Sequence, residues 1–285
     1  MPLRIFNNLS SVIAQNRLDV NNRNLGEVIS RIASGDRLFG TKANAAEKAT
    51  SELLNSYTRT LRQASKNLND GISLINVAES GLNEQSGILI RLREILTIAG
   101  GAIVQNEQDT LQLEINTLRD EFNRIANSTE FNGQKLLDGS LAVSIATDQH
   151  VVITVGLDSS ASSQIDINSA VNLSSTATAA LGLDAVSATS FDDAADSLSI
   201  VEAALDTIST YRAGIGAVQN RFTRALSTLN VSIENLTAAF SAIKDADIAE
   251  ELADLTKQQL LVQSAAAMVG QANLVPEGVL LLLQQ

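Results

Sequence analysis

The stretch "LNSYTRTLRQASKNLNDGISLINVAESGLNEQSGILIRLREIL" (residues 54–96) decides the fold. Leu54, Leu61, Leu68, Ile75, Leu82, Leu89 and Leu96 recur at every seventh position without a miss. Three places further on stand Tyr57, Ala64, Gly71, Ala78, Gln85, Leu92 and Ala99, mostly small or apolar. Two such rows share one helix face and form a seam that must be buried against another helix. A continuous helix over 54–96 would be about 65 Å long at roughly 1.5 Å per residue. Gly100-Gly101 supplies its stop, because glycine accepts the left-handed backbone of a helix cap.

A second seam runs through Val201, Ile208, Ile215, Phe222, Leu229, Leu236 and Ile243. Leu205, Leu226, Ile233 and Phe240 stand four places after members of that row, where Arg212 and Gln219 interrupt. Asp192 and Asp193 precede it and suit a helix N-terminus. A shorter helix between the seams carries Leu111, Ile115, Leu118, Phe122 and Ile125. The expectation is a mainly α fold, an elongated antiparallel coiled-coil or helical bundle, with the 54–96 and 201–243 helices adjacent. In the middle, "LAVSIATDQHVVITVGL" (141–157) reads as two short strands around a turn at Thr147 to Gln149. "QIDINS" (164–169) offers a third, which places β-hairpins at about 141–169.

Both ends keep the seven-residue spacing after a break. Leu18, Leu25 and Ile32 precede "ASGDRLFGTKANA" (33–45), and Ile248, Leu255, Val262 and Val269 follow the break after Ile243. The breaks divide the chain into a terminal-helix unit (1–44 plus 246–285) and a helical bundle unit (45–245). Two lone helices of that size are too thin to stabilise themselves, so other copies of the chain are the expected partners. Val279 to Leu283, a run of apolar residues in the tail, poses the same demand, at roughly 1.5–3 kcal/mol per large side chain left in water. The candidate self-assembly residues are therefore Ile5, Leu9, Val12, Leu18, Leu25, Ile32, Ile248, Leu255, Val262, Val269, Val279, Leu280 and Leu282.

Composition narrows the function classes. A net charge of −12 argues against nucleic acid or an anionic membrane as partner. No run of eighteen apolar residues occurs, so no membrane insertion is expected. Aromatic content is only 3%, without Trp, so Val, Ile, Leu and Ala must build thin helical layers. The absence of cysteine excludes disulfides and thiolate chemistry. The first 30 residues lack the apolar core of a secretory signal peptide, so an exported protein would use another route.

No catalytic, cofactor or metal constellation stands out. His150 is the one histidine and reads as a solvated turn residue. "FDDAAD" (191–196) lacks the alternating ligands of a calcium loop and reads as a helix cap. "GIGAVQ" (214–219) follows no strand and lies within the heptads, which favours close helix packing over a dinucleotide site. No enzyme is expected, and no cofactor.

"RQASKNLNDGISLINVAESGLNE" (62–84), "EFNGQKLLDG" (130–139), "AVQNRF" (217–222), "NLTAAFSAIKDADIAEE" (235–251) and "QANLVPEGVLLLL" (271–283) together resemble bacterial flagellin. The resemblance implies a structural subunit that polymerises into the extracellular flagellar filament. It implies export without a cleaved signal peptide, through the flagellar type III apparatus. The partners implied are further copies of the chain, an export chaperone, the filament cap and the hook-junction proteins. A hook–filament junction protein is the alternative, disfavoured by "EFNGQKLLDG" and the complete tail. The sequence departs from the family where "RLFGTKANAAEKATS" (37–51) replaces its usual junction, and where only 141–190 stands in place of the variable outer domains. A short form without further outer domains is expected. By the same resemblance Arg91, Ile95, Ile98 and Glu114 match the surface bound by the vertebrate innate flagellin receptor. The favoured reading of that stripe is packing between neighbouring subunits.

Overall fold

The computed structural model describes residues 8–40, 44–101, 105–158 and 160–283, without the side chains of Gln105 and 275–283. Most of these residues are helical. The helices are α1 (Leu9–Ser34), α2 (Ala45–Ala99), α3 (Gln105–Ser128), α4 (Ile167–Val171), α5 (Phe191–Lys244) and α6 (Ile248–Leu283). Short strands β1 (Glu130–Phe131), β2 (Gln134–Lys135), β3 (Val152–Thr154) and β4 (Gln164–Asp166) complete the described elements, as two antiparallel pairs, β1–β2 and β3–β4.

The chain forms two compact units, Met1–Tyr57 with Asn235–Gln285, and Thr58–Glu234. Their limits fall inside α2 and α5 rather than at the breaks near 44 and 246. Both helices run on unbroken while seam burial fades, leaving Leu54 and Leu236 half-buried.

In the Thr58–Glu234 unit, Leu61, Leu68, Ile75, Leu82, Leu89 and Leu96 of α2 are buried, as are Ala64, Ala78, Leu92 and Ala99 beside them. The partner row on α5 is Val201, Ile208, Ile215, Phe222 and Leu229. Arg212 Nε donates to Glu79 Oε1 at 2.9 Å, and Gln219 Nε2 to Asn76 Oδ1 at 3.0 Å, so the two helices run antiparallel side by side. The second α5 row differs from expectation. Ala204 and Val218, three places on, are buried, whereas Leu205 and Leu226, four places on, are only half-buried. The four-on row is the flank of the interface, where Arg212 and Gln219 reach polar partners on α2. They are edge residues, not interruptions of the core.

Helix α3 adds Ile115, Phe122 and Ala126 to the same core and runs back along α2. Gln85 Nε2 donates to the Phe122 carbonyl at 3.4 Å, and Arg91 pairs with Glu114. The chain then turns through β1–β2, a hairpin the periodicity did not signal. Asn132 (φ 52°) and Gly133 (φ 79°) both take positive φ, the conformation of the tight type I′ turn that Asn-Gly favours. Leu136 and Leu137, immediately after it, are fully buried.

The first strand expected in 141–157 is a correction. Only Leu141 pairs there, in an isolated bridge to Leu173, and Thr147–Gln149 is a single 3-10 turn. The hairpin is instead β3 with β4, in the register Val152↔Asp166, Ile153↔Ile165, Thr154↔Gln164. The bridge at Leu141 does not extend into a strand because side chains of Asn168 and Asn172 occupy the backbone of its neighbours. Asn168 Nδ2 donates to the Ser140 and Ala142 carbonyls, both at 3.0 Å. Asn172 Oδ1 accepts from Val143 N–H, also at 3.0 Å.

Candidate assembly surface

The terminal unit begins with its joints. Helix α1 starts at Asn8, whose side chain accepts from Ser11 N–H at 3.1 Å, and ends at Gly35, left-handed at φ 67°. Asp247 caps α6 by accepting from Ala249 N–H at 2.8 Å. Between these caps an antiparallel bridge joins Asp36 to Asp245. Arg37 N–H donates to the Lys244 carbonyl at 2.8 Å and Ala246 N–H to the Gly35 carbonyl at 3.0 Å. The Arg37 guanidinium donates to the Ile243 carbonyl at 2.7 Å and to Glu47 at 3.1 Å. The two connections are thereby tied together, and α1 and α6 leave them as an antiparallel pair.

The interface between α1 and α6 is thin and partly polar. Ser11, Val28, Glu251 and Ala265 are buried. Leu18, Leu25 and Ile32 on α1, and Leu255, Val262 and Val269 on α6, are half-buried on the same rows. Asn8 Nδ2 donates to the Ala272 carbonyl at 2.8 Å, Ser11 Oγ to Asn273 Oδ1 at 2.7 Å, and Asn21 Nδ2 to the Leu261 carbonyl at 3.3 Å. Arg31 grips Glu251 through both carboxylate oxygens, at 2.7 and 2.8 Å. The Glu251 hydrogen bond raises the Arg31 pKa against the opposing effect of burial. The Gln258 side-chain carbonyl is buried without a hydrogen-bond donor.

Among the residues the pair leaves exposed are many large apolar ones, interspersed with polar ones such as Asp19, Lys257 and Gln263. On α1, Leu9, Val12, Ile13, Val20 and Ile29 are exposed, Leu9 at 69%. On α6, Ile248, Leu252, Leu260, Leu261, Met268 and Leu274 are exposed, with Leu260 at 60% and Met268 at 61%. Large apolar side chains clustered on an exposed surface mark a face that a partner can cover.

The sequence-derived assembly residues therefore separate. Leu18, Leu25, Ile32, Leu255, Val262 and Val269 pair α1 with α6 inside the chain. Leu9, Val12 and Ile248 lie open. Ile5 lies outside the described residues, and so do the side chains of Val279, Leu280 and Leu282, although their backbone is helical in α6. Ile13, Val20, Ile29, Leu252, Leu260, Leu261, Met268 and Leu274, which the sequence reading did not single out, are exposed as well. Their signal was present as apolar residues off the seven-residue rows.

The four receptor-type residues also divide. Arg91 donates to Glu114 Oε1 through Nε at 2.9 Å and Nη2 at 2.8 Å, and reaches Glu94 at 3.1 Å. Glu114 first, then Glu94, raises the Arg91 pKa. Ile98 is half exposed at 51%, but Ile95 is wholly buried in the α2 core, so no partner can touch it there. Its place in the heptad, one residue before Leu96, explains why.

Among the described residues no group of three or more His, Asp or Glu side chains is placed to hold a metal ion. No described helix is long and apolar enough to cross a membrane.

Comparison with known proteins matches the bacterial flagellin N-terminal helical region over residues 5–142 and the bacterial flagellin C-terminal helical region over 198–283. The chain is 38% identical to a flagellin of Bacillus subtilis, covering 99% of this chain and 100% of that protein. It is 35% identical to a flagellar filament 30.7 kDa core protein of Treponema maltophilum, covering 98% and 99%. A solved structure described as a flagellar hook-associated protein from Vibrio parahaemolyticus covers 71% of this chain and all of its own, with TM-score 0.58 and 14% identity, a likeness of fold alone. With both terminal helical regions matched, and full-length relatives above one-third identity, the chain belongs to the bacterial flagellin family.

Proposed function

We infer that this chain is a structural subunit of the bacterial flagellar filament, an extracellular homopolymer that serves motility. The observation that carries the reading is the apolar outer surface of the α1–α6 pair. Burying a half-exposed Leu or Met there recovers on the order of 1 kcal/mol per side chain. Repeated along both helices, that is a sufficient drive for copies to associate. The assembly set under this reading is Leu9, Val12, Ile13, Val20 and Ile29 on α1, with Ile248, Leu252, Leu260, Leu261, Met268 and Leu274 on α6. Val279, Leu280 and Leu282 continue α6 and join it by sequence, as does Ile5 ahead of α1. Leu18, Leu25, Ile32, Leu255, Val262 and Val269 act first within the subunit.

Export without a cleaved signal peptide, a chaperone on the C-terminal region, and docking to the filament cap and hook-junction proteins extend the family reading. The open apolar surface of α6 supports the chaperone, because an exposed patch of this kind aggregates unless something covers it. Arg91, Glu114 and Ile98 are read as part of a subunit-packing surface rather than a receptor site, on the strength of Ile95 being core.

The test is Leu260→Asp with Met268→Asp. Both side chains are exposed in the subunit, so its circular dichroism should be unchanged. In the polymer each carboxylate would cost several kcal/mol of desolvation. Electron microscopy after seeding with unmodified filament should show no elongation. Long normal filaments from the double variant would remove this surface from the assembly, and failure of the unmodified chain to elongate at all would favour the junction protein.

A further inference from the structure

His150 is the single histidine of the chain, and its contacts favour the charged form of its ring. Its side chain is only 6% exposed. Nδ1 lies 2.7 Å from Asp166 Oδ2, and Nε2 lies 3.3 Å from the Ile145 carbonyl oxygen. A carboxylate and a carbonyl can only accept. A neutral imidazole carries one N–H, so it can serve one of them and must turn a lone pair on the other. The imidazolium has two N–H donors and satisfies both.

The chain this ring holds has little else to order it. Between Val143 and Gln149 every residue except Ile145 is exposed, and the segment belongs to no strand. Its neighbours are fixed by the α4 corner: Val151 N–H donates to Asn168 Oδ1 at 2.8 Å and Val143 N–H to Asn172 Oδ1 at 3.0 Å. Asp166 itself is held, since its Oδ1 accepts from Ser169 N–H at 3.2 Å as the cap of α4. The carboxylate facing the ring is therefore a fixed anchor, and the ring is the moving half of the contact.

We propose that His150 is a charge-dependent latch: as imidazolium it ties residues 143–149 to the β4–α4 corner, and loss of its proton as pH rises releases that segment while the helical core stays intact. The 143–146 segment carries no titratable side chain, and Asp148 in the adjoining 3-10 turn points to solvent, so Asp166 is the charged group that acts on the ring. The Asp166 hydrogen bond raises the His150 pKa above the ordinary imidazole value, against burial. The Asp166 charge and the backbone at Ile145 and Val143 push the same way. A raised folded-state pKa means the latch is fully engaged below the unfolded-state value. Its contribution is lost as pH rises through the folded one.

One histidine makes the test direct. In the full-length, unassembled chain, the imidazole carbon-bound protons give one NMR titration curve without assignment. Its midpoint should lie above the ordinary imidazole value, and Asp166→Asn, which keeps the Oδ1 cap of α4, should bring it down. Hydrogen exchange read by mass spectrometry should show peptides over 143–151 losing protection across the same midpoint, after correction for the intrinsic rate. The loss should be about tenfold for each unit by which the pKa is raised. Peptides from α2 and α5 should not change. A wild-type midpoint at or below the ordinary imidazole value, or protection over 143–151 that is flat through the titration, overturns the proposal.

Discussion

Gly71→Ala tests how the β3–β4 hairpin is fastened to the helices. A β-carbon built on Gly71 would meet the Ile153 Cδ1 methyl far inside van der Waals contact, and would stand 3.3 Å from Phe222 Cε2. Ile153 is thus a plug seated in a notch on α2, over the ring of Phe222, and it is 7% exposed. Filling the notch forces the plug out, with an overpacking cost of roughly 1–3 kcal/mol. Against this, alanine is better than glycine in mid-helix by about 0.5–1 kcal/mol. The net expectation is a loss of about 1 kcal/mol. Ile153→Val removes the Cδ1 methyl and leaves Cγ1, which lies 3.5 Å from the new carbon, an ordinary contact. Alone it should cost about 0.5–1.5 kcal/mol. In the double variant the clash is gone and the helix gain remains, so the two changes should couple favourably by about 1–2 kcal/mol. Urea unfolding of the unassembled chain, followed by far-UV circular dichroism, measures all four corners of the cycle. Additivity within about 0.5 kcal/mol, the usual result for independent sites, would refute the plug-and-notch account.

Arg31→Met should weaken the α1–α6 pair by about 2–3 kcal/mol. That lies below the ~3–5 kcal/mol of a fully buried broken pair, because some water still reaches the charges. Adding Glu251→Leu should recover most of the loss, as read from the thermal dissociation of filaments; an equal or larger loss in the double variant would contradict this. Acid should fray the start of α5. Hydrogen bonds from Ser190 and then Thr189 lower the Asp193 pKa, so its contribution is present above the unfolded-state value and disappears as pH falls through the depressed one. Amide exchange over 190–196 should rise in that acid range, and Asp193→Asn should flatten the dependence.

The helices were legible because burial on one face leaves a period in the sequence. Leu61 through Leu96 are buried as the sevens require, and Gly100 N–H closes α2 by donating to the Leu96 carbonyl at 2.9 Å. The hairpins were harder for a physical reason. A two-residue strand such as Glu130–Phe131 has no room for alternation, so only its turn carries a signal, and that signal was the Asn132-Gly133 pair. The stretch 141–146 alternates well enough to suggest a strand. Its backbone partners are nevertheless side chains of Asn168 and Asn172, more than twenty residues downstream. Long-range side-chain competition of this kind leaves no local pattern. His150 was misread for the same reason: nothing near it in sequence announces Asp166.

The assembly surface shows where periodicity stops being informative. A heptad row states that a face is buried, not which chain buries it. Leu68 and Leu25 stand on equally regular sevens, yet Leu68 is fully buried while Leu25 is only half-buried. The distinction lies in the residues between the rows. Around Leu68 the outward positions are Arg62, Lys66, Asn69 and Asp70, which water solvates. On α6 the outward positions include Leu252, Leu260, Leu261, Met268 and Leu274, which water does not solvate well, among polar ones such as Lys257 and Gln263. Two helices cover only the rows that face each other, and these apolar residues lie off those rows. The seam of α1 and α6 is moreover diluted by Ser11, Asn21, Glu251 and a Gln258 carbonyl without a donor. A pair with a seam diluted by polar groups and with large apolar residues left exposed is weak alone, and under the proposed reading neighbouring copies complete its core.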